Sequence, residues 1–426
     1  MKNLLKTLGP GILFASTAIG VSHLIQSTQA GGNFGFTMLW AVVLANLFKY
    51  PFFEFGSRYA NATGKSIIDG YGRLGKPALH TYLVITLISM FLVTSAVGNV
   101  TAGFMQNLFG IESTILPVIL IFVVSVGILI SGSFKLLDSL IKVVGIVLLL
   151  STLAAFILVL IKGPQGDKAL FSMSEVPMNA YIALLIPLMG WMPTAVDLSS
   201  WNSLWTVERI KQTNYHPKLK ETLFDFNFGY ISSALLAICF VTLGAFLMYG
   251  TGQTFEEKGA QFAAKVIELY TSTFGDWANI IISASAFSIM FGTCVAVFDG
   301  YSRAFSETIR VYKQTPDSTP NSTSLYRWTL VAISLGSFLI IYIFQSYPAG
   351  FIKLVILATT ISFLMAPVIA IFNFKLVQEK FIGKEFVPSK FIRLLAYLGI
   401  IFLSVFSILY LIYFFNPEWV VSLLTS

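Results

Sequence analysis

Charged residues are scarce in this chain: 11% of its 426 residues are Asp, Glu, Lys or Arg, while 56% are hydrophobic. About a quarter of the residues in a soluble domain are charged, so this balance excludes an ordinary soluble protein. The two cysteines, Cys239 and Cys294, both lie in apolar runs, which excludes a disulfide framework and a metal-thiolate motif. Long segments of alternating polarity, typical of membrane β-barrels, are also missing. The sequence therefore predicts an all-α membrane protein.

Apolar runs of about 18 residues or more recur along the chain, and each is long enough to cross a hydrocarbon core of roughly 30 Å. They predict about eleven transmembrane helices, near residues 8–29, 36–57, 80–106, 114–132, 138–161, 177–200, 227–250, 276–302, 327–347, 350–374 and 392–415. The polar segments between these runs are too short to fold separately. We therefore expect a single membrane domain over residues 1–426.

Most of the 27 basic residues lie in alternate segments between the predicted spans, beginning with Lys2 and Lys6 ahead of the first span. The positive-inside rule then places the N-terminus in the cytoplasm, and an odd number of spans places the C-terminus outside. Because membrane topology explains the net charge of +7, we expect no nucleic-acid partner. The expected location is the cytoplasmic membrane, where lipid surrounds a monomer.

Two predicted spans contain helix-breaking or polar residues at mid-membrane depth. The first reads GPGILFASTAIGVSHLIQS from Gly9, and the sixth reads LIPLMGWMPTAVDLSSW from Leu185. They begin two groups of five spans, and since five is odd the second group starts from the opposite side, which is typical of an inverted repeat. We expect repeats over about residues 8–161 and 177–374, followed by an additional helix over 392–415. Unwound backbone cannot face lipid, so the two breaks predict a solute-binding site near the midplane.

The order of these features resembles the Nramp-type divalent metal transporters. The similarity rests on GPG followed by QAGG in the first span, on LIKVVGIVLLLSTLAAFILVL in the fifth and on MPT in the sixth, and it covers most of the chain. It implies a LeuT-like 5+5 inverted-repeat fold and inward transport of manganese or ferrous iron with protons. We expect no enzyme activity, because no nucleophile, base and orienting residue cluster at membrane depth. We also expect no resident cofactor.

The chain departs from that family at positions that bind the metal. Where the family has Asp-Pro-Gly-Asn in its first helix, this chain has Gly20, Val21, Ser22 and His23. The family's Met-Pro-His in the sixth helix becomes Met192, Pro193 and Thr194, which keeps the methionine and loses the histidine. The third span has no acid, although the family usually places proton-handling carboxylates there. Thr359 or a neighbour stands where the tenth helix of the family often has a glutamine.

Three side chains are expected to bind a metal ion: His23, Met192 and Asp197. Imidazole and thioether groups suit soft first-row ions, and an intramembrane carboxylate is a functional residue by default. Asp197 is also a candidate to carry a coupling proton or to pair with His23. Each has a structural alternative: His23 bonded to a freed carbonyl, Asp197 as a helix cap and Met192 as packing.

The remaining residues expected to contact the solute are Gly20, Val21, Ser22, Met189, Pro193, Thr194 and Thr359. Gly20, Val21 and Thr194 would contribute mainly backbone oxygens, and Met189 takes the position of another contact in the family that the chain resembles. Trp191 is a candidate wall for an organic cation site through its ring face.

Charged residues elsewhere in the spans are expected to form structural pairs. Lys49 and Glu54 would pair with each other in the second span. Asp299, Arg303 and Glu307 are spaced four residues apart and would form an ion-pair ladder on one helix face, with a gate as the alternative.

The leading hypothesis is a secondary active transporter that imports a divalent metal cation by alternating access, with proton coupling left open. The alternative keeps the fold and changes the cargo to a small organic amine or amino acid, because the acidic residue of the first helix is lost. A membrane receptor that binds its ligand without transporting it is a third class of function.

Overall fold

The structure is a computed structural model that describes residues 7, 9–131, 149–172, 177–253, 255, 258–314 and 324–418. Throughout these ranges the regular structure is helical, without a β-strand. The prediction of an all-α protein is confirmed. Lys2, Lys6, the first part of the predicted fifth span and the last residues of the chain lie outside the described ranges.

The helices are, in chain order, α1 Pro10–Ala18, α2 Thr28–Phe34, α3 Leu39–Thr63, α4 Ile67–Leu74, α5 Lys76–Phe109, α6 Leu116–Ser131, α7 Leu149–Lys162, α8 Met178–Gly190, α9 Ser199–Thr213, α10 Leu219–Leu247, α11 Gly259–Phe274, α12 Asn279–Lys313, α13 Ser324–Gln345, α14 Gly350–Leu376, α15 Glu379–Ile382 and α16 Lys390–Phe415. A π-helical segment, Ser22–Ser27, joins α1 to α2, and a 3₁₀ turn, Val196–Leu198, precedes α9.

The predicted spans correspond to these helices. Within the described residues, six helical segments are long and apolar enough to cross a membrane, and they include α5, α10, α12, α13, α14 and α16. The shorter apolar helices α6, α7 and α8 fall in the predicted fourth, fifth and sixth spans. The first span consists of α1, the π-helical segment and α2, and α3 is the second. The division into two repeats stays a prediction.

Helix α11 is absent from the sequence-based expectation. Its buried side chains recur at helical spacing, as Phe262, Val266, Ile267 and Tyr270 do, while its other face is polar. A search for long uninterrupted apolar runs passes over such an amphipathic helix, because half of its surface is hydrophilic.

Glycines bring the first span into direct contact with α10. A Cβ atom on Gly31 would lie 2.0 Å from the carbonyl oxygen of Val241, and one on Gly244 would lie 2.2 Å from that of Thr28. Small residues of this kind allow two helix backbones to approach closely in a membrane. The second half of the first span, α2, is therefore held closely against α10.

The predicted pair of Lys49 with Glu54 is wrong, and the predicted ion-pair ladder is confirmed only for Asp299 and Arg303. Glu54 forms its ion pair with Arg58, which lies one turn further along α3, and Lys49 points to α8 instead. Arg303 pairs with Asp299 at 2.7 Å, while Glu307 binds Arg310 at 2.8 Å rather than extending a ladder. The second pair is extended by Asp69 of α4, whose carboxylate lies 2.6 Å from Arg310.

Candidate functional site

The first span is broken between α1 and α2. Helix α1 ends at Ala18, and the amide of Gly20 donates to the carbonyl of Ala18 at 3.0 Å, which is not an α-helical bond. The π-helical segment Ser22–Ser27 follows and leads into α2. Single π turns interrupt the regular backbone bonding of a helix and often lie at functional sites. The predicted interruption near Gly20 is confirmed.

The sixth span is broken between α8 and α9. Helix α8 ends at Gly190, and residues 191–195 are non-helical before the turn Val196–Leu198 begins. Pro193 lies in the middle of this segment and lacks an amide hydrogen, so a continuous helix cannot form through it. The peptide bond between Met192 and Pro193 is cis. The predicted interruption of this span is also confirmed.

The two breaks meet inside the bundle. The hydroxyl oxygen of Ser22 lies 3.3 Å from the carbonyl oxygen of Pro193 and 3.0 Å from that of Ala18. Since 171 residues separate Ser22 from Pro193, this contact joins the two interruptions directly. It places the unwound backbone of both spans at one point, where neither faces lipid.

A cleft of about 340 Å³ opens between the breaks. Its apolar wall includes Val21, Val93, Val97, Trp191, Leu198 and Val297, and its hydroxyl groups come from Thr17, Ser22, Thr194 and Thr293. Within the described part of the chain, no charged side chain lines it. The cleft therefore presents a neutral surface that combines apolar contacts with a few hydrogen-bonding groups.

The hydroxyl groups of the cleft differ in how they are bonded. Those of Thr17 and Thr293 donate to carbonyls of α1, at 2.7 Å to Leu13 and at 3.1 Å to Ser16. That of Thr194 has no hydrogen-bond partner among the described residues, although only 8% of the residue is exposed. Thr194 is thus able to bind a solute without breaking an existing bond.

Five of the predicted site residues lie around the meeting point of the breaks. Val21, Ser22 and Thr194 line the cleft, and the carbonyl oxygen of Pro193 is in contact with the Ser22 hydroxyl group. Gly20 lies against the side chain of Thr293, where a Cβ atom would be 3.1 Å from the nearest carbon. This part of the predicted site is brought together by the fold.

His23 lies outside the cleft lining. Its Nε2 atom is 2.9 Å from the carbonyl oxygen of Ser233 in α10, and its Nδ1 atom is 2.8 Å from the hydroxyl oxygen of Ser22. The ring also packs edge-on against Phe240. Both ring nitrogens therefore have partners within the protein. This arrangement agrees with the structural alternative for His23, in which the ring is hydrogen-bonded to a carbonyl group and stabilises the interrupted segment.

Asp197 and the two methionines of the sixth span also lie behind the cleft surface. Asp197 accepts a hydrogen bond from the Tyr301 hydroxyl at 3.1 Å, and both Met189 and Met192 are fully buried. The Thr359 hydroxyl donates to carbonyls of its own helix, at 2.8 Å to Val355. Across the residues that the structure describes, no group of three His, Cys, Asp or Glu side chains is arranged to hold a metal ion. The roles of His23, Met192 and Asp197 as ligands stay predictions.

Lys49 also belongs to this site, although the sequence predicts that it pairs with Glu54. Its ammonium nitrogen lies 2.5 Å from the carbonyl oxygen of Met189, 2.8 Å from that of Gly190 and 3.3 Å from that of Thr194. A lysine within an apolar span is a signal of function in a membrane protein. Its partner was not predictable, because the carbonyls come from a segment about 140 residues further along the chain.

Comparison with known proteins places this geometry in a family. Residues 11–413 match the family described as Nramp, natural resistance-associated macrophage protein-like. The chain belongs to the Nramp family. Nramp proteins are transporters, so this chain is a multi-pass membrane transporter and not an enzyme. The resemblance inferred from the broken spans is confirmed.

Relatives of the chain differ in how much of it they match. A protein of Pasteurella multocida described as uncharacterised is 34% identical over 409 residues, which cover 95% of this chain and 91% of that protein. The divalent metal cation transporter MntH of Aeromonas hydrophila is 35% identical over 81 residues, or 19% of this chain and 20% of that protein.

Solved structures share the LeuT-like fold of this Nramp chain. A manganese transporter of Eremococcus coleocola superposes with a TM-score of 0.71 at 13% identity, covering 98% of this chain and 89% of the other. MhsT in complex with L-phenylalanine superposes with a TM-score of 0.62 at 14% identity, covering 93% and 98%. At such low identity the likeness shows the fold alone.

Proposed function

We propose that this chain is a secondary active transporter that binds its solute between the breaks of its first and sixth spans and moves it by alternating access. The observation that carries the proposal is the contact of Ser22 with Pro193 beside the cleft. Half-helices that end at mid-membrane direct unpaired backbone groups and dipoles at a bound solute. We also propose that the protein is a monomer in the cytoplasmic membrane with its N-terminus in the cytoplasm.

A divalent metal cation of the manganese or iron type, moved inward, is the first cargo that we propose. Membership of the Nramp family supports it, as do the relatives named divalent metal cation transporters. The broken sixth span also carries a thioether at Met192 and a carboxylate at Asp197, which suit such ions. To bind the ion, the Asp197 carboxylate must turn away from Tyr301. His23, the third predicted ligand, must give up its hydrogen bonds to Ser22 and Ser233. Asp197 is then the candidate carrier of a coupled proton.

A small organic solute, such as an amine or amino acid, is the second candidate. The neutral lining of the cleft favours it, because hydrated metal ions need charged or strongly polar ligands. The cleft between the breaks, whose volume of about 340 Å³ includes the part open to solvent, is the region that such a solute would enter. Trp191 presents a ring to this volume, and its indole nitrogen is anchored to the Ser362 hydroxyl at 2.9 Å.

Uptake into liposomes containing the purified protein tests both cargos. Manganese, cadmium, magnesium and calcium ions are compared with small amines and amino acids, with and without a pH gradient. A metal transporter gives saturable manganese or cadmium uptake that falls about tenfold in Met192→Ala, because a ligand is lost. Met105→Ala, which truncates a partly buried methionine away from the breaks, is the matched control.

Other outcomes of the same assay change the assignment. Uptake of an amine or amino acid without metal uptake would reverse the order of the two cargos. A loss of uptake in Asp197→Asn that appears only under a proton gradient would assign proton coupling to that residue. Full activity of Asp197→Asn under both conditions would leave Asp197 a structural role as the acceptor of the hydrogen bond from Tyr301. Uptake of no solute at all would contradict the transporter proposal.

A further inference from the structure

Lys49 lies in the middle of the transmembrane helix α3 and is completely buried. In the described part of the chain, no carboxylate lies within 4 Å of its ammonium group. Burying an unpaired ammonium group in a low-dielectric interior is very costly, so its charge must be compensated by other polar groups. The groups in contact with it are the main-chain carbonyl oxygens of Met189, Gly190 and Thr194.

These three carbonyls belong to the interruption of the sixth span. A helix leaves its last four carbonyl groups without helical partners, and Met189 and Gly190 are the last two residues of α8. The C-terminal end of a helix also carries partial negative charge. Thr194 adds a third oxygen from the non-helical segment, so the break forms a small cage of oxygens suited to a cation.

The number of donors matches the number of acceptors. A protonated lysine has three N–H donors and no acceptor, and each donor here has one carbonyl partner. The cage is therefore matched to a single ammonium group.

We propose that Lys49 is a built-in cation of the broken sixth span, whose ammonium group occupies a carbonyl site that would otherwise take a small external cation. The proposal goes beyond the transport function, because it holds for either cargo. It has one consequence for a metal cargo: an ion reaches the carbonyl of Met189 only after the ammonium group has left it. For an organic cargo, Lys49 keeps the break in its present shape while the solute occupies the neutral cleft.

Thermal unfolding of the full-length protein in detergent tests the proposal. Lys49→Ala empties the cage, and we expect its melting temperature to fall by several degrees. Ammonium or methylammonium chloride should restore at least half of this loss, because a ligand that binds only the folded protein stabilises it. Tetramethylammonium chloride at equal ionic strength should restore none, since it has no N–H donor. Lys375→Met, which removes an exposed lysine from the end of α14, should show no such difference between the salts.

Each other result has a defined meaning. A Lys49→Ala protein that melts at the wild-type temperature, or that all three salts stabilise equally, would overturn the proposal. If Lys49→Ala does not fold, Lys49→Met and Lys49→Arg decide: folding of the arginine variant alone supports the need for a cation. Folding of neither variant would overturn the proposal, because a cation at this position would then not be sufficient. A folded methionine variant is judged by the same salt series. Because the readout is stability, an absence of uptake by the wild type would leave this result unaffected.

Discussion

Gly190 shows how a missing side chain positions the second break. A Cβ atom at this last residue of α8 would lie 2.1 Å from the carbonyl oxygen of Thr359 in α14. The two helices therefore touch through their backbones, and Trp191 leaves α8 at a fixed distance from α14. This contact also explains how Thr359, a predicted solute contact, adjoins the break through its main chain rather than its hydroxyl group.

We expect Gly190→Ala to lower the melting temperature and to reduce solute uptake, because the added methyl group pushes α14 away from the break. Overpacking of this kind costs about 1–3 kcal/mol. Gly127→Ala in α6 is the matched control, since a Cβ atom there meets nothing within 4 Å. Equal melting temperatures for the two variants, measured in the same detergent, would contradict this expectation. They would mean that α14 shifts and accommodates the added methyl group.

The first half of the broken first span is anchored at its N-terminal end by another helix. The carboxylate of Asp225 in α10 accepts hydrogen bonds from the amides of Gly9 at 3.1 Å and Gly11 at 2.7 Å. Negative charge at a helix N-terminus is favourable, because the first amides have no helical partners and the helix dipole is positive there. Asp225 thus holds α1 as a unit that is separate from the π-helical segment.

We expect Asp225→Ala to loosen α1 without unfolding the bundle. Each hydrogen bond to a charged acceptor contributes about 1.5–3 kcal/mol to stability, and this variant loses two of them. Amide hydrogen exchange should become faster over residues 9–18, while exchange in α5 should stay as it is in the wild type. Asp276→Ala, which removes an exposed acid ahead of α12, is the control. Unchanged protection of α1 would contradict the anchoring role.

Alternating access predicts that the whole bundle exposes the cleft to one side of the membrane at a time. Thr194→Cys places a thiol in the cleft, and the two native cysteines, Cys239 and Cys294, are buried and give little background. A membrane-impermeant thiol reagent, applied to either side of oriented vesicles, then reports which side reaches the cleft.

We expect the transported solute to change the labelling rate of Thr194→Cys in opposite directions on the two sides. Ser346→Cys, at an exposed position after α13, should be labelled from one side at a rate that the solute does not change. This control also tests the predicted orientation of the chain. Labelling of Thr194→Cys that never responds to any solute taken up by liposomes would contradict alternating access through this cleft.

The positions of the spans were predictable because the signal is local. The thickness of the hydrocarbon core sets the length of an apolar run, so helices such as α5 and α14 appear directly in the sequence. The two breaks were predictable for a similar reason, since Pro193 lacks an amide hydrogen and Gly20 lies among polar residues in an apolar run. Helix α11 was missed because its apolar residues cover only one face.

The partners of the polar residues depend on how distant helices pack. Nothing in the residues around His23 indicates that its ring meets the Ser233 carbonyl, and nothing around Asp197 indicates Tyr301. Lys49 lies five residues from Glu54, but side chains on one helix face are three or four residues apart. That spacing leaves Glu54 to Arg58 and directs Lys49 to the carbonyls of the sixth span.

Composition and apolar run length therefore predicted a helical membrane protein of about eleven spans, two of them interrupted, since hydrophobicity and backbone chemistry act over a few neighbouring residues. The packing of the bundle established where the interruptions meet, which groups face the cleft and which are bonded behind it. Those features depend on contacts between segments more than a hundred residues apart, such as Ser22 with Pro193 and Lys49 with Gly190. Such contacts form only when the folded helices bring the segments together.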